Sequence, residues 1–327
     1  MADTQKPTAI DFNPEFLRAL DLMEETDKNI LITGRAGTGK STLLNAILGQ
    51  KIAITAPKPQ TTRSRLLGIL TLAEAQIVFV DTPGIHRPRH KLGEYMVQQA
   101  VMALPDADVI LWIVDIAEPP FAEDEQIALL LAQKAAGRPV VIGCNKVDLV
   151  NASTLAERQA AFSALVAPTA LVTLAAARGQ GIDDLIAVLR PLLPLSPPYY
   201  PADQVTDVQE RFIAAELVRE AVIHHLREEV PHAVAVVVDE FKTRGPEMTY
   251  IAATVYVERE SQKGIVIGLG GRMLKQIGQQ ARVCLLYTSD AADDLLCVDL
   301  GGRRLLKKKI TPKYSHTILY TTATLRS

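Results

Sequence analysis

The chain has 327 residues, 48% of them hydrophobic and 22% charged, with 35 Lys and Arg against 37 Asp and Glu for a formal net charge of −2. At about 150 residues per domain, this length suggests two domains and excludes a disordered chain, a collagen-like chain and a disulfide-stapled miniprotein. The near-zero charge balance excludes a whole-surface grip on nucleic acid, so any RNA site is a local patch. No apolar run approaches the about 18 residues of a membrane span, and Cys144, Cys284 and Cys297 have neither metal nor disulfide spacing, which fits a reducing cytoplasm.

Residues 1–28 form an atypical N-terminal segment in which 14–25 reads as an amphipathic helix. NILIT (29–33) is an apolar strand, followed by the Gly-rich turn 34–42 and a helix that stops at Gly49. The runs 76–81, 108–115, 139–146 and 170–175 read as buried parallel strands, alternating with helix patterns near 92–104, 122–136, 153–165 and 181–190. This is the α/β signature of a parallel sheet covered on both faces, spanning 29–190. The proline-rich stretch 191–206 is a linker. A smaller α+β domain follows over 207–282: a helix (210–230), strands (233–241 and 249–260), a segment 261–268, a glycine turn and a helix (272–282).

Gly34-x-x-x-x-Gly39-Lys40-Ser41 is a complete phosphate-binding loop in strand–loop–helix context. Its glycines, with Gly37 among them, let backbone N–H groups curl around phosphates at a helix N-terminus that also includes Thr42. Lys40 would reach the β and γ phosphates and Ser41 would hold Mg²⁺. The loop alone does not separate ATP from GTP. Asn145-Lys146-x-Asp148, at the end of an apolar strand, does: a carboxylate accepts both N1–H and the 2-amino group of guanine, which adenine lacks. Asp81 at the start of Asp-Thr-Pro-Gly would bind Mg²⁺ through water, Gly84 N–H would meet the γ-phosphate, and Thr62 would give a second Mg²⁺ hydroxyl. Ala175 and Ala176 end the last strand, where backbone N–H groups can contact the base.

In the second domain Gly268-Leu269-Gly270-Gly271 matches the G-x-x-G turn of KH domains, whose groove takes about four nucleotides. Lys263, Arg272, Lys275 and Arg282 give residues 261–282 a local charge of +4 with no acid.

The order of these elements resembles the guanine-nucleotide GTPases. NAILGQKIAITAPKPQTTRSRLLGI, VDTPGIHRP, NKVDL and PPYYPADQVTDVQERFIAAELVRE are similar to the Era family of bacterial ribosome-assembly GTPases over about residues 39–282. The resemblance implies a P-loop GTPase domain and a type II KH domain that binds the 3′ end of 16S rRNA in the small ribosomal subunit. It also implies a monomer in the cytoplasm with peripheral inner-membrane association, and GTP/GDP and Mg²⁺ as ligands. Ile85 stands where Ras-like GTPases place a water-orienting Gln, so slow intrinsic hydrolysis of about 10⁻⁴ to 10⁻² s⁻¹ and a timer-switch role are expected.

Four departures qualify the resemblance. Leu269 replaces the Lys usual in the family. Gly37 replaces the Asn that helps bind K⁺ in related GTPases, which leaves K⁺ stimulation doubtful. The opening through GRAGTGKSTLL resembles a DNA-helicase opening, so an ATP-dependent helicase fragment is the rival reading. Residues 284–293 and 297–304 resemble translated sequencing adapters. On that reading residues 283–327 are a non-native tail, and the KH domain is truncated, lacks its third strand and is expected to bind RNA weakly or not at all.

Overall fold

A computed structural model of the chain describes residues 29–56, 61–86, 91–135, 137–226, 230–244, 249–290 and 319–323. The helix expected at 14–25, Gln60, His90 and Cys297 lie outside them.

The first domain is built on β1 (Asn29–Thr33), β2 (Leu66–Thr71), β3 (Gln76–Asp81), β4 (Val109–Asp115), β5 (Val140–Asn145) and β6 (Ala170–Thr173), in the order β2-β3-β1-β4-β5-β6. All neighbours pair parallel except β2, which runs antiparallel to β3 at the edge. Helices α1 (Lys40–Leu48), α2 (Lys91–Met102), α3 (Ala122–Lys134), α4 (Ala152–Leu165) and α5 (Ile182–Leu189) complete it.

Strand alternation sorts the core into two layers, because successive side chains leave a strand on opposite faces. Ile30, Ile32, Val109, Leu111 and Ile113 pack with Leu43 and Leu44 of α1 and Leu185 of α5. Leu31, Ile110, Trp112 and Val114 pack on the other face with Ala100 of α2, Ile127 of α3 and Phe162 of α4. Trp112 is fully buried, edge-on to Phe162 at 5.9 Å.

The linker is fastened to this sheet. Val205 carbonyl accepts Ile69 N–H at 2.8 Å, and Thr206 Oγ donates to Leu67 carbonyl at 2.6 Å, so the chain lies along the outer edge of β2. The Gln76 carboxamide receives the N–H groups of Tyr199 and Tyr200 and donates to the Tyr200 carbonyl.

The second domain comprises α6 (Glu210–His225), β7 (Val234–Thr243), β8 (Thr249–Val257), α7 (Glu260–Ile267), α8 (Arg272–Asp290) and β9 (Leu319–Ala323). β7 and β8 are antiparallel with a bulge between Val238 and Glu240, and β9 runs parallel to β8 from Ala253↔Leu319 to Val257↔Ala323. The apolar faces of α6 and α8 cover the sheet through Leu217, Val218, Ala221, Ile277 and Ala281.

Two expectations about the tail are corrected here. Helix α8 runs past Arg282 to Asp290, because CLLYTSD holds no Gly or Pro to stop it. The sheet also has a third strand. Its β-prone residues, Leu-Tyr-Thr-Thr-Ala, lie within the stretch expected to be a non-native tail.

Candidate guanine-nucleotide site and KH surface

The phosphate loop leaves β1 and enters α1. Gly39 holds φ +93, and a Cβ there would sit 2.4 Å from Asn145 Nδ2, so the position needs both the freedom and the smallness of glycine. Thr38 Oγ1 donates to the Arg35 carbonyl at 3.0 Å. Lys40 Nζ is buried and donates to the carbonyls of Gly34 at 3.1 Å and Arg35 at 3.0 Å. Burial pushes the Lys40 amine down to about 8, against the pull of Asp81.

Three oxygen-bearing side chains from three elements meet beside it. Ser41 Oγ lies 2.8 Å from Thr62 Oγ1 and donates to Asp81 Oδ2 at 2.7 Å. Asp81 is fully buried, and its Oδ1 has no hydrogen-bond partner. Burial pushes its carboxyl up to about 6, while Lys40, the Ser41 hydroxyl and the Thr82 backbone oppose the rise. Two hydroxyls and a carboxylate with an orphaned oxygen form an all-oxygen donor set that fits Mg²⁺, a hard cation that keeps waters and shares phosphate ligands. Among the described residues no group of three or more His, Cys, Asp or Glu could hold a metal.

Gly84 presses on the phosphate loop. A Cβ there would come within 2.7 Å of the Ala36 backbone nitrogen. Ile85 N–H donates to the Gly34 carbonyl at 3.1 Å, and its side chain is buried among the core residues of the α2–α4 layer.

Asn145 ties the site together from β5. Its Nδ2 donates to the Thr38 carbonyl at 2.8 Å and its Oδ1 accepts Ala176 N–H at 3.0 Å. Ala175 N–H donates to the Gln180 carbonyl at 3.1 Å. Both alanine amides, expected to face the base, are therefore spent inside the protein, and Asn145 takes the one at Ala176. Lys146 adopts φ +67 and its ammonium pairs with Asp115 Oδ2 at 2.5 Å. Asp148 pairs with Arg178, Oδ2 to Nε 3.1 Å. Asp115 and Arg178 were missed in the sequence. Asp115 carried a signal: it ends the apolar run VILWIVD as Asp81 ends QIVFVD.

A cavity of about 430 Å³ opens over Gly37, Lys40, Ser41, Thr42 and Thr62 and reaches Glu220, His224 and Gln280 of the second domain. The sequence reading placed no second-domain residue near the nucleotide.

The KH surface lies on α7, the glycine turn and α8. Gly268, Gly270 and Gly271 all have positive φ, and a Cβ at Gly270 or Gly271 would meet open space. Leu269 projects into solvent at 80% exposure, and Arg272 and Lys275 are exposed beside it. Lys263 pairs with Glu260 at 3.3 Å, one residue before the acid-free stretch, which lowers the expected local charge.

A family model described as 50S ribosome-binding GTPase matches residues 29–146, and a KH-domain model matches 229–290. GTPase Era of Geotalea uraniireducens (strain Rf4) is 49% identical over 253 residues, 77% of this chain and 84% of that protein. GTPase Era of Staphylococcus haemolyticus (strain JCSC1435) is 44% identical over 253 residues, again 77% and 84%. Among solved structures, Era in complex with MgGDPNP and nucleotides 1506–1542 of 16S ribosomal RNA superposes with a TM-score of 0.77 at 33% identity, covering 91% of this chain and 93% of that one. A variant of Aquifex aeolicus Era bound to GDP and AlF4⁻ gives the same TM-score and identity over 90% and 93%. By these identities and extents the chain belongs to the Era family of GTPases.

Proposed function

We propose that this chain is a GTP-binding switch that hydrolyses GTP slowly, binds 16S rRNA through its KH domain and assists assembly of the small ribosomal subunit. The observation that carries the reading is the convergence of Ser41, Thr62 and Asp81 beside Lys40 in a chain that also carries a glycine-turn KH domain. The matched Era complex, which holds MgGDPNP and a 16S rRNA segment together, supports both ligands.

In this reading Lys40 exchanges its loop carbonyls for the β and γ phosphates, and Asp148 leaves Arg178 to accept the guanine edge. Ser41 and Thr62 would hold Mg²⁺ directly and Asp81 through water; when bound, the ion neutralises phosphate charge. Gly84 N–H meets the γ-phosphate and orders its loop only in the triphosphate state. Ile85 is apolar and buried, and so cannot align a water, which supports a slow timer. Leu269, Arg272 and Lys275 with the glycine turn form the RNA surface, and the strand β9 on its sheet supports a working RNA domain. The domains divide at the linker 191–206. The protein works as a monomer in the cytoplasm with peripheral inner-membrane contact, a reading supported by family membership; among the described residues no helix is long and apolar enough to cross a membrane.

Single-turnover hydrolysis by the purified chain tests this. Phosphate release at about 10⁻⁴ to 10⁻² s⁻¹, dependent on Mg²⁺ and absent in Lys40→Ala, is expected. An RNA of the 16S 3′ end should bind more tightly with GDPNP than with GDP. Displacement of bound GTP by equimolar ATP, or equal affinity for an unrelated RNA, would overturn the reading.

A further inference from the structure

The loop between α1 and β2 carries Thr62 and is held in part by side chains of the other domain. Glu220 of α6 is buried. It accepts Thr55 N–H at 2.8 Å and the Thr55 hydroxyl at 3.2 Å, and Lys51 Nζ lies 2.6 Å from it. Arg219, next along α6, is 2% exposed and donates from Nη2 to the Thr61 carbonyl at 2.6 Å. Glu216, one turn earlier, holds the Arg219 guanidinium in a fork, with Nε to Oε1 at 2.8 Å. Thr61 is bonded directly to Thr62, whose hydroxyl stands 2.8 Å from Ser41.

Simple adhesion between two domains does not need this arrangement. Burying a guanidinium and a carboxylate costs solvation, and apolar residues of similar volume would hold the surfaces together as well or better. Charged groups with directed hydrogen bonds instead fix where a backbone lies. Here the fixed backbone is the one that presents the triphosphate-sensing hydroxyl.

We infer that Arg219 of the KH domain is a positioning residue for the GTPase site: by holding the Thr61 carbonyl it sets Thr62 against Ser41, so that preference for GTP over GDP depends on both domains. The inference rests on the proposed role of Thr62. GDP binding uses the phosphate loop and Asp148 and does not need Thr62, so the contribution of Arg219 falls on the triphosphate state alone. Thermodynamic reciprocity then requires the triphosphate to strengthen the grip of α6 on the loop by the same factor.

The test compares MgGDP with MgGDPNP affinity in the full chain for wild type, Arg219→Gln, Arg219→Lys and Glu216→Gln, using displacement of a fluorescent guanine nucleotide. Arg219→Gln should weaken GDPNP about tenfold, within the usual range of coupling between sites, and leave GDP within about twofold. Arg219→Lys, which keeps one donor for the Thr61 carbonyl, should recover part of the loss. Glu216 is about a quarter exposed, so Glu216→Gln is the variant to use if Arg219→Gln does not fold; it should act in the same direction. Amide exchange at residues 61–66 should rise while β1 and β4 stay protected. An unchanged GDPNP-to-GDP ratio, or a parallel loss of both affinities, overturns the inference and leaves the proposed function standing. A wild-type chain that binds no guanine nucleotide defeats that function and the inference with it.

Discussion

Asn145 and Thr38 are 107 residues apart in sequence, yet the Asn145 amide donates to the Thr38 carbonyl at 2.8 Å while its oxygen accepts Ala176 N–H. One side chain thus joins the phosphate loop, the end of β5 and the turn after β6. Asn145→Ala would leave a buried carbonyl and a buried amide unpaired, at about 1–3 kcal/mol each. Guanine-nucleotide affinity should fall at least about tenfold, for GDP and GTP alike, and equilibrium titration with a fluorescent nucleotide measures it.

The pH dependence follows from two buried charges. Burial raises the Asp81 carboxyl from its usual 3.8 to about 6. Its stabilising contribution is complete below the unfolded value and lost as pH rises through 6. Burial lowers the Lys40 amine from 10.5 to about 8, so its contribution is complete only above 10.5 and lost as pH falls through 8. At pH 7 both charges therefore cost stability in the nucleotide-free protein. Asp81→Asn should raise its melting temperature at pH 7 by a few degrees and abolish the Mg²⁺ dependence of nucleotide binding. In wild type the affinity gained from Mg²⁺ should shrink as pH falls through about 6.

In the proposed function Asp148 reads the base. Asp148→Asn should weaken GTP by about 10²-fold or more and let xanthosine triphosphate bind, because the amide can donate where the carboxylate only accepts. Competition between the two nucleotides checks it, and unchanged GTP preference would reassign the residue.

Gly84→Ala should separate the two nucleotide states. The added methyl would need space within 2.7 Å of the Ala36 nitrogen, so the loop must move off the phosphate loop. Hydrolysis and GDPNP affinity should drop about tenfold or more, as expected when one positioned donor is lost, with GDP affinity little changed. Single-turnover rates and titrations distinguish these outcomes.

On the KH surface Leu269 is 80% exposed at the tip of the glycine turn. Leu269→Lys should raise RNA affinity several-fold at low salt and steepen the salt slope by about 0.7, the value for one further contact to single-stranded phosphate. An unchanged slope would place the phosphates elsewhere.

How far the sequence disclosed this molecule depends on the range of the interaction involved. The buried parallel strands were plain because each is a continuous apolar run, and the phosphate loop because its chemistry is local. The edge strand β2 was not read. It carries Gly68, which weakens the strand signal in the sequence; the structure needs glycine there, because a Cβ would lie 2.6 Å from Leu44 Cδ1 and 2.9 Å from Leu48 Cδ1. Strand β9 was missed because it stands far from the domain it completes. Arg219 and Glu220 read as ordinary charges on an amphipathic helix; only the packing of α6 against the loop between α1 and β2 shows that both are buried. The acceptors that hold the Ala175 and Ala176 amides, Gln180 and Asn145, were hidden for a similar reason: both contacts depend on how the chain folds.

The hold of the linker on β2 has a practical consequence for separating the two domains. Cutting the chain at residue 190 would strip Val205 and Thr206 from the edge strand and leave a row of unpaired backbone groups, a template for another chain to add to. A GTPase domain ending there should self-associate at concentrations where one ending after Val208 stays monodisperse. The end of the proline-rich stretch thus shields the edge strand of the sheet it leaves, and a boundary drawn for separating the domains is better placed after it than before it.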